Sequence, residues 1–457
     1  MATPLNTELA AGLGFSIPDG VGPNDLLIAI DGVDEQAVDA ALADLENALA
    51  TRGRAAQPGG SGGAARPRTV RAAATANPDA ALVLLSVPGP AVLGEAMDAI
   101  AAGRHLMIFS DNVPVADEIA IKDAGQAAGV LIMGPDCGTA HIAGVGYGFA
   151  NVLRRDLAGP RVGVVAASGT GAQQLTCLLD DAGVAVSHVL GVGGRDLTEA
   201  VAGRSAITAL QLLDNDAGTD HIVLISKPPH PATAEAVRAV ADSLRTPVHP
   251  ILIGQGQPDI TAGTEAVLRA LGVPIPNWRQ WGEHPAAASP GVIRGLYSGG
   301  TLAEESSILA AEVLGDIASR APSRHGLPDL TGLGHVIIDL GDDEFTVGRP
   351  HPMIDPSLRI ALLAEQAADP EVGVILLDVV LGHAADPDPA GRLAPAIRAA
   401  IAGAAPDLSV VIALCGTGTD PQDREAQAAA LIAAGAIVFA SNAAAARAAA
   451  SLARGAV

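Results

Sequence analysis

Five short stretches bring polar or nucleophilic atoms to sharp turns: Gly134-Pro135-Asp136-Cys137-Gly138-Thr139, Ala166-Ala167-Ser168-Gly169-Thr170-Gly171, Gly191-Val192-Gly193-Gly194-Arg195-Asp196, 297–305 and 415–420. Open parallel sheets bind ligands at such turns, beyond the carboxyl ends of strands. Backbone N–H groups and the helix dipole there favour an anion. Cys137 could act as a nucleophile given a stabilised thiolate; a small thiol filling the turn is the alternative. Ser168 and Thr170 offer hydroxyls, and an ordinary helix N-cap explains them equally well. No Lys follows that loop as a nucleoside-triphosphate loop requires. Arg195 offers a rigid fork for carboxylate or phosphate beside open glycine backbone; a surface pair with Asp196 is the competing reading.

The candidate catalytic residues are therefore Arg195, Ser168 and Cys137. The candidate binding residues are Gly134, Pro135, Asp136, Gly138, Gly169, Thr170, Gly171, Gly193, Gly194, Ser298, Gly299, Gly300, Thr301, Gly416 and Thr417. His351 and His383 also follow apolar runs, as general bases or as hydrogen-bonded structural residues. Neither has metal-ligand spacing to another His or Cys, so no metal site is expected.

These turns need elements to hold them. Apolar runs at 26–30, 81–85, 105–109, 129–133, 161–166, 222–226, 248–253, 336–340, 374–377 and 410–414 are short and continuous, as strands covered on both faces are. Helical patterns lie between them, for example at 171–182, 207–214, 233–244 and 423–434. This alternation predicts parallel sheets with crossover helices. Residues 52–69, with Gly-Gly-Ser-Gly-Gly at 59–63, read as a loop or linker. Gly194-Arg195, Ala209-Leu210 and the run 222–225 recur in order, at near-equal spacing, as Gly348-Arg349, Ala361-Leu362 and 374–377. Two related α/β domains in tandem would produce this echo.

Composition narrows the function. The chain has 457 residues, 27 Lys+Arg against 50 Asp+Glu and a net charge of −23, with aromatics at 2%. Such a surface repels phosphate backbones and offers few stacking platforms, so no nucleic-acid partner is expected. No apolar run reaches the ~18–20 residues that span a bilayer. The first residues lack a basic region and an apolar core, so no secretory signal or membrane contact is expected. Three scattered cysteines fit neither a disulfide framework nor a zinc site. A cytoplasmic protein is expected.

Leu131 through Ala140, Gly163 through Gly171, Gly193-Gly194-Arg195-Asp196-Leu197, Gly295 through Leu302 and His351-Pro352-Met353-Ile354-Asp355-Pro356 together resemble the FdrA family of the succinyl-CoA synthetase superfamily, in order and spacing. The resemblance implies an α/β fold: a Rossmann-like CoA-binding-type domain (1–157), a flavodoxin-like α-subunit-like ligase domain (158–284), a linker with a helical segment (285–331) and a flavodoxin-like domain similar to the β-subunit carboxyl domain (332–457). It implies CoA or an acyl or carbamoyl phosphate near the loops of Gly134 and Ser168. A small anionic acyl substrate and a homo- or hetero-oligomer with a partner subunit are implied as well. The sequence departs from the superfamily in two places. Gly254-Gln255-Gly256-Gln257-Pro258-Asp259 has no histidine where a phosphohistidine loop stands, and Lys227-Pro228-Pro229 replaces the usual Glu. ATP binding by this chain alone is not expected. Three functions follow: an acyl-CoA synthetase-like enzyme, a carbamoyltransferase subunit of purine-ureide catabolism acting with oxamate and carbamoyl phosphate, or a non-catalytic ligand-binding subunit.

Overall fold

The computed structural model describes residues 67–282, 289–324, 327–346, 349–403 and 408–455, with scattered positions between 7 and 45. The strand expected at 26–30 begins outside these residues, as does the 52–69 stretch up to residue 66.

The first unit alternates α1 (Val70–Ala76), β1 (Leu82–Leu85), α2 (Val92–Ala101), β2 (His105–Ile108), α3 (Val115–Ala128) and β3 (Ile132–Met133). Its strands form a parallel sheet in the order β1-β2-β3. Gly129 ends α3 at φ 69°, a left-handed conformation that glycine adopts without a Cβ clash.

The second sheet has the order β5-β4-β7-β6-β8-β9. Its parallel part comprises β6 (Arg161–Ala167), β7 (Ala185–Gly191), β8 (His221–Ser226) and β9 (Val248–Leu252). The helices α4 (Gly169–Asp181), α5 (Arg204–Asp214), α6 (Pro231–Ala241) and α7 (Ile260–Leu271) connect and flank these strands. Two strands not read from the sequence, β4 (Thr139–Ile142) and β5 (Val145–Gly148), extend this sheet, β4 antiparallel to β7 and β5 antiparallel to β4. The turn at Gly134 sends them across, so residues 139–148, expected in a domain spanning 1–157, pair with the second sheet.

The third sheet runs β10-β17-β16-β15-β11-β14. It contains β10 (Gln280–Trp281), β11 (Val292–Tyr297), β14 (Val336–Asp339), β15 (Val372–Val380), β16 (Ser409–Cys415) and β17 (Ile437–Phe439), and the small β12 (Ser323–Arg324) and β13 (Leu327–Pro328) pair apart from it. Six helices accompany it: α8 (Gly300–Leu314), α9 (Asp343–Thr346), α10 (Ser357–Ala367), α11 (Pro389–Gly403), α12 (Arg424–Ala433) and α13 (Asn442–Arg454). The linker expected at 285–331 is therefore corrected. Its residues Val292–Tyr297 form a central strand, hydrogen-bonded to β14 on one side and β15 on the other. Pro285 and Pro290 precede this strand, but the apolar run behind them is buried between neighbours, and burial decides.

Each of the two larger sheets places its first parallel strand between the second and third, the doubly wound order. The echo in the sequence thus marks two units of like topology. They share one apolar core, in which Val164, Leu175 and Val223 of the second unit are continuous with Leu376, Ala446 and Ala450 of the third. Alanines on one face of α13 let that helix lie close against α8, β15 and β16.

A polar clamp ties the segment after β5 to the third unit. Asn151 is buried and donates to Leu381 O and Asp420 Oδ2 at 2.9 Å each, while accepting from Gln173. Val152 N donates to Asp420 Oδ1 at 2.6 Å, and Thr417 Oγ1 donates to Val152 O at 2.7 Å. Removing one partner of a buried hydrogen bond strands the other, at about 1–3 kcal/mol. Asn151→Leu is expected to lower the midpoint of the first thermal transition by several degrees and to loosen Gly382–Ala384 in hydrogen exchange. An unchanged midpoint would show that the clamp is energetically idle.

Candidate functional site

The carboxyl ends of all three sheets open onto one cavity of about 660 Å³. The first sheet supplies Val87, Ser110, Asp111 and Asp136; the second Ser168, Gly169, Thr170, Arg195 and Lys227; the third Ser298, Gly299, Gly300, Thr301, Asp339 and Asp343. His351, Arg349 and Met353 close one side.

At its centre the amino termini of α4 and α8 meet. They occupy the same place in their two units, each following the first parallel strand. Ser168 caps α4 by accepting from Gly171 N at 3.0 Å, and its hydroxyl donates to Thr301 Oγ1 at 2.7 Å. Gly299 gives α8 no side-chain cap, so the first N–H groups of that helix have no such partner. The approach is tight: a Cβ on Gly299 would stand 2.6 Å from Thr170 Cγ2. A Cβ on Gly300 would stand 2.3 Å from Asp339 Oδ2 and 2.7 Å from Lys227 Nζ. Beneath the turn, buried Asp378 Oδ1 accepts from Ser298 N at 2.8 Å and Ser298 Oγ at 3.0 Å, and pairs with buried Arg359 at 3.1 Å.

Arg195 is held from the first unit. Its Nε pairs with Glu118 Oε2 at 2.9 Å and its Nη2 donates to Val113 O at 2.8 Å. Asp196 does not pair with it on the surface. It is fully buried, takes Lys122 Nζ at 2.7 Å and accepts from Ser205 N and Ala206 N at the start of α5. Lys122 also pairs with Glu118 at 2.8 Å. This buried chain docks α3 on the second unit and aims the guanidinium into the cavity.

The candidate residues divide accordingly. Arg195, Ser168, Pro135, Asp136, Gly138, Gly169, Thr170, Gly194, Ser298, Gly299, Gly300 and Thr301 line the cavity. Ser168 and Ser298 spend their hydroxyl protons within the scaffold, on Thr301 and Asp378. Gly134, Gly171 and Gly193 lie behind the wall, where Cβ atoms would meet Ile108 O, Ser168 Oγ and Pro135 O at 2.3–2.5 Å. Thr417 belongs to the clamp on Val152, and the Gly416 carbonyl beside it accepts from Arg424 Nη1. The catalytic expectation for Cys137 is corrected, because its thiol is buried, donates to Thr139 O and is pushed up to about 12 by burial. His383 is exposed and lies away from the lining.

His351 is not a general base here. Its Nδ1 accepts from Met353 N at 3.2 Å, so the neutral ring carries its proton on Nε2, and burial lowers its pKa to about 4. Read from the sequence, Lys227 is a departure from the family pattern. Its compositional signal was available: the chain holds 25 arginines and only 2 lysines. Among the described residues Lys227 makes no ion pair within 4.0 Å and no hydrogen bond.

Charge in the cavity is split. Two helix amino termini and Lys227 make one end positive. The lining also carries Asp111, Asp136, Asp342 and Asp343. Asp136 opens to the cavity yet is enclosed by protein, and burial, reinforced by Asp343 and Asp111, pushes it up to about 7. Burial likewise raises Asp339 to about 6, against the pull of Lys227 and the Gly341 N–H. The described residues include no group of three or more His, Cys, Asp or Glu placed to hold a metal ion. None of their helices is long and apolar enough to cross a membrane.

Residues 296–452 match a family model described as CoA-ligase, and residues 1–67 one described as AllF, heavy metal-associated domain. The second segment contains no Cys or His, the ligands soft metals take, so its residues do not fit a heavy-metal site. Escherichia coli (strain K12) YahF, described as an uncharacterized protein, is 37% identical over 470 residues, which cover 97% of this chain and 90% of YahF. Subunit alpha 2 of succinate–CoA ligase (ADP-forming) from Archaeoglobus fulgidus is 28% identical over 151 residues, 33% of this chain and 50% of that subunit. The chain thus spans half the length of that ligase subunit. The apo structure of Ca. Korarchaeum cryptofilum dinucleotide forming acetyl-coenzyme A synthetase 1 aligns over 81% of this chain and 82% of that one, at 17% identity and a TM-score of 0.30.

CoA is the cofactor a CoA-ligase domain implies. Among the described residues the first-sheet loops at the cavity present Ser86, Ser110, Asp111, Asn112 and Asp136, with no Lys or Arg, so a pyrophosphate there would rest on backbone N–H groups alone.

Two outcomes test this geometry. A carboxyl group whose folded pKa is raised adds stability below its unfolded pKa and loses it as pH rises through the folded value. Wild type should therefore lose stability relative to Asp136→Asn as pH climbs through about 7, a comparison that cancels the opposite effect of buried histidines at lower pH. A pH-independent difference in Tm would contradict the raised Asp136. Cys137 should resist iodoacetamide in the native protein and react on unfolding, as mass spectrometry of the labelled peptide would report.

Proposed function

From a chain that belongs to the YahF family and carries a CoA-ligase domain over residues 296–452, we propose a succinyl-CoA ligase-like protein that binds a small acyl phosphate in the three-sheet cavity. The observation that carries this reading is the meeting of the α4 and α8 amino termini beside Lys227. A phosphate seated there accepts from free backbone N–H groups and faces one compact cation, with no rearrangement needed on binding. The acyl carbon then projects towards Arg195 and His351 Nε2–H, donors suited to an oxygen that gains charge when the carbonyl is attacked.

A preformed acyl phosphate needs clamps for its phosphate and oxyanion, not a phosphorylated histidine. This agrees with the absence of histidine from Gly254–Asp259 and with the engaged Nδ1 of His351. The acceptor belongs to the coarser reading: CoA is what the CoA-ligase domain suggests, and a partner subunit is what the ligase subunits among the relatives suggest.

One observation favours a carbamoyl over a plain acyl group. Asp111, Asp136, Asp342 and Asp343 line the same cavity, and carboxylates accept from an amide NH₂, which an acetyl group lacks.

Thermal shift tests both readings. Ligand at one hundred times its Kd stabilises the folded state by about 2.7 kcal/mol, a shift of a few degrees. Inorganic phosphate, acetyl phosphate and carbamoyl phosphate should each raise the Tm of wild type, carbamoyl phosphate most. Gly300→Ala and Lys227→Gln should abolish the shift. No shift with any of the three, or an equal shift in both variants, would sink the proposal.

A further inference from the structure

Lysine is almost absent from this chain, which has 25 arginines and 2 lysines. One of the two, Lys122, is 2% exposed and locked between Glu118 and Asp196. The other, Lys227, stands at the carboxyl end of β8 inside the cavity and makes no ion pair or hydrogen bond among the described residues. The two cations differ chemically: a guanidinium stays protonated and is no nucleophile, whereas an amine can shed a proton and attack a carbonyl. The one cavity cation at the helix ends is thus the kind that can react.

Its surroundings supply the other parts. Asp339 Oδ1 accepts from Gly341 N at 2.8 Å, which leaves Oδ2 for another partner. Asp339 Oδ2 and Lys227 Nζ both crowd the position a Cβ on Gly300 would take. A proton acceptor therefore lies next to the amine, at the helix amino terminus where a phosphate is seated in the reading above.

We propose that Lys227 is a site of covalent acylation by the acyl phosphate that its own cavity binds. The inference rests on that reading and adds a reaction to it. Asp339 takes one proton from the ammonium and passes it to solvent. The free Nζ attacks the carbonyl carbon and forms a C–N bond. The bond from that carbon to the phosphate oxygen breaks, and phosphate leaves with the electron pair. Phosphate also takes the proton that nitrogen sheds as the amide forms. The product amide is neutral, so it removes the cation that held the phosphate. Acylation is thus self-limiting, and it closes the site when acyl phosphate accumulates.

The test uses the full-length chain with acetyl phosphate, followed by intact mass and peptide mapping. One acetyl group should appear on Lys227 roughly tenfold or more faster than on Lys122 or the chain's amino terminus, the gain a charged cleft gives by concentrating its ligand. Excess inorganic phosphate should slow labelling of Lys227 alone. Asp339→Asn should slow it while phosphate still raises the Tm, and Lys227→Arg should keep that shift and take no label. If phosphate stabilises the chain but Lys227 stays unmodified, or reacts no faster than the other amines, the inference fails and the binding reading stands. If phosphate neither stabilises the chain nor slows labelling, the binding reading fails as well.

Discussion

The Ser168–Thr301 hydrogen bond and the contact of Gly299 with Thr170 set two helix amino termini against each other, and the rest of the site follows from that abutment. Two positive helix ends at close range repel, so the arrangement needs something to offset them. Buried Asp378 does this from below by accepting twice from Ser298. Asp339 does it from the side, and an anion in the cavity would do so from above. The small residues at 299 and 300 are what the distance demands. Helices of like topology from two units can share one focus only where no side chain stands between them.

That focus depends on docking as much as on local turns. The Glu118–Lys122–Asp196 chain joins α3 of the first unit to the loop after β7. Breaking a buried ion pair by removing one partner costs about 3–5 kcal/mol, so the three-residue arrangement holds its register firmly. Arg195 takes its direction from it. On the far side, Asn151 and Asp420 fix the segment leaving β5 to the third unit. Four aspartates, Asp111, Asp136, Asp342 and Asp343, line the same cavity. Desolvation and repulsion from neighbouring carboxylates raise the proton affinity of Asp136 and Asp343, and their oxygens can accept from N–H groups of a ligand.

Much of this was legible in the chain. The unbroken apolar runs at 161–166, 222–226, 374–377 and 410–414 could only be strands covered on both faces, and all four are. The recurrence of Gly-Arg, Ala-Leu and an apolar run gave away two units of one topology. Four of the five glycine-rich turns bring residues to a single cavity because parallel strands of each unit end on the same edge. Other features were not legible. The run at 292–297 lay among prolines and looked like connection, because only pairing with β14 and β15 reveals a central strand. Cys137 is polar by type and buried by neighbours, and no spacing rule separates those conditions.

The residue sequence alone determined most strands of the parallel sheets and the anion-suited turns, since propensity and hydrophobic period act locally. Tertiary structure alone decided which turns share a hollow, that Ser168 and Ser298 spend their protons inside the scaffold, that the 415–420 turn is a clamp, and that Lys227 stands inside the hollow beside Asp339. The physical reason is that burial, ion pairing and hydrogen-bond direction depend on groups tens or hundreds of residues apart. Asp420 meets Asn151, Thr301 meets Ser168 and Glu118 meets Arg195 only when the sheets have packed.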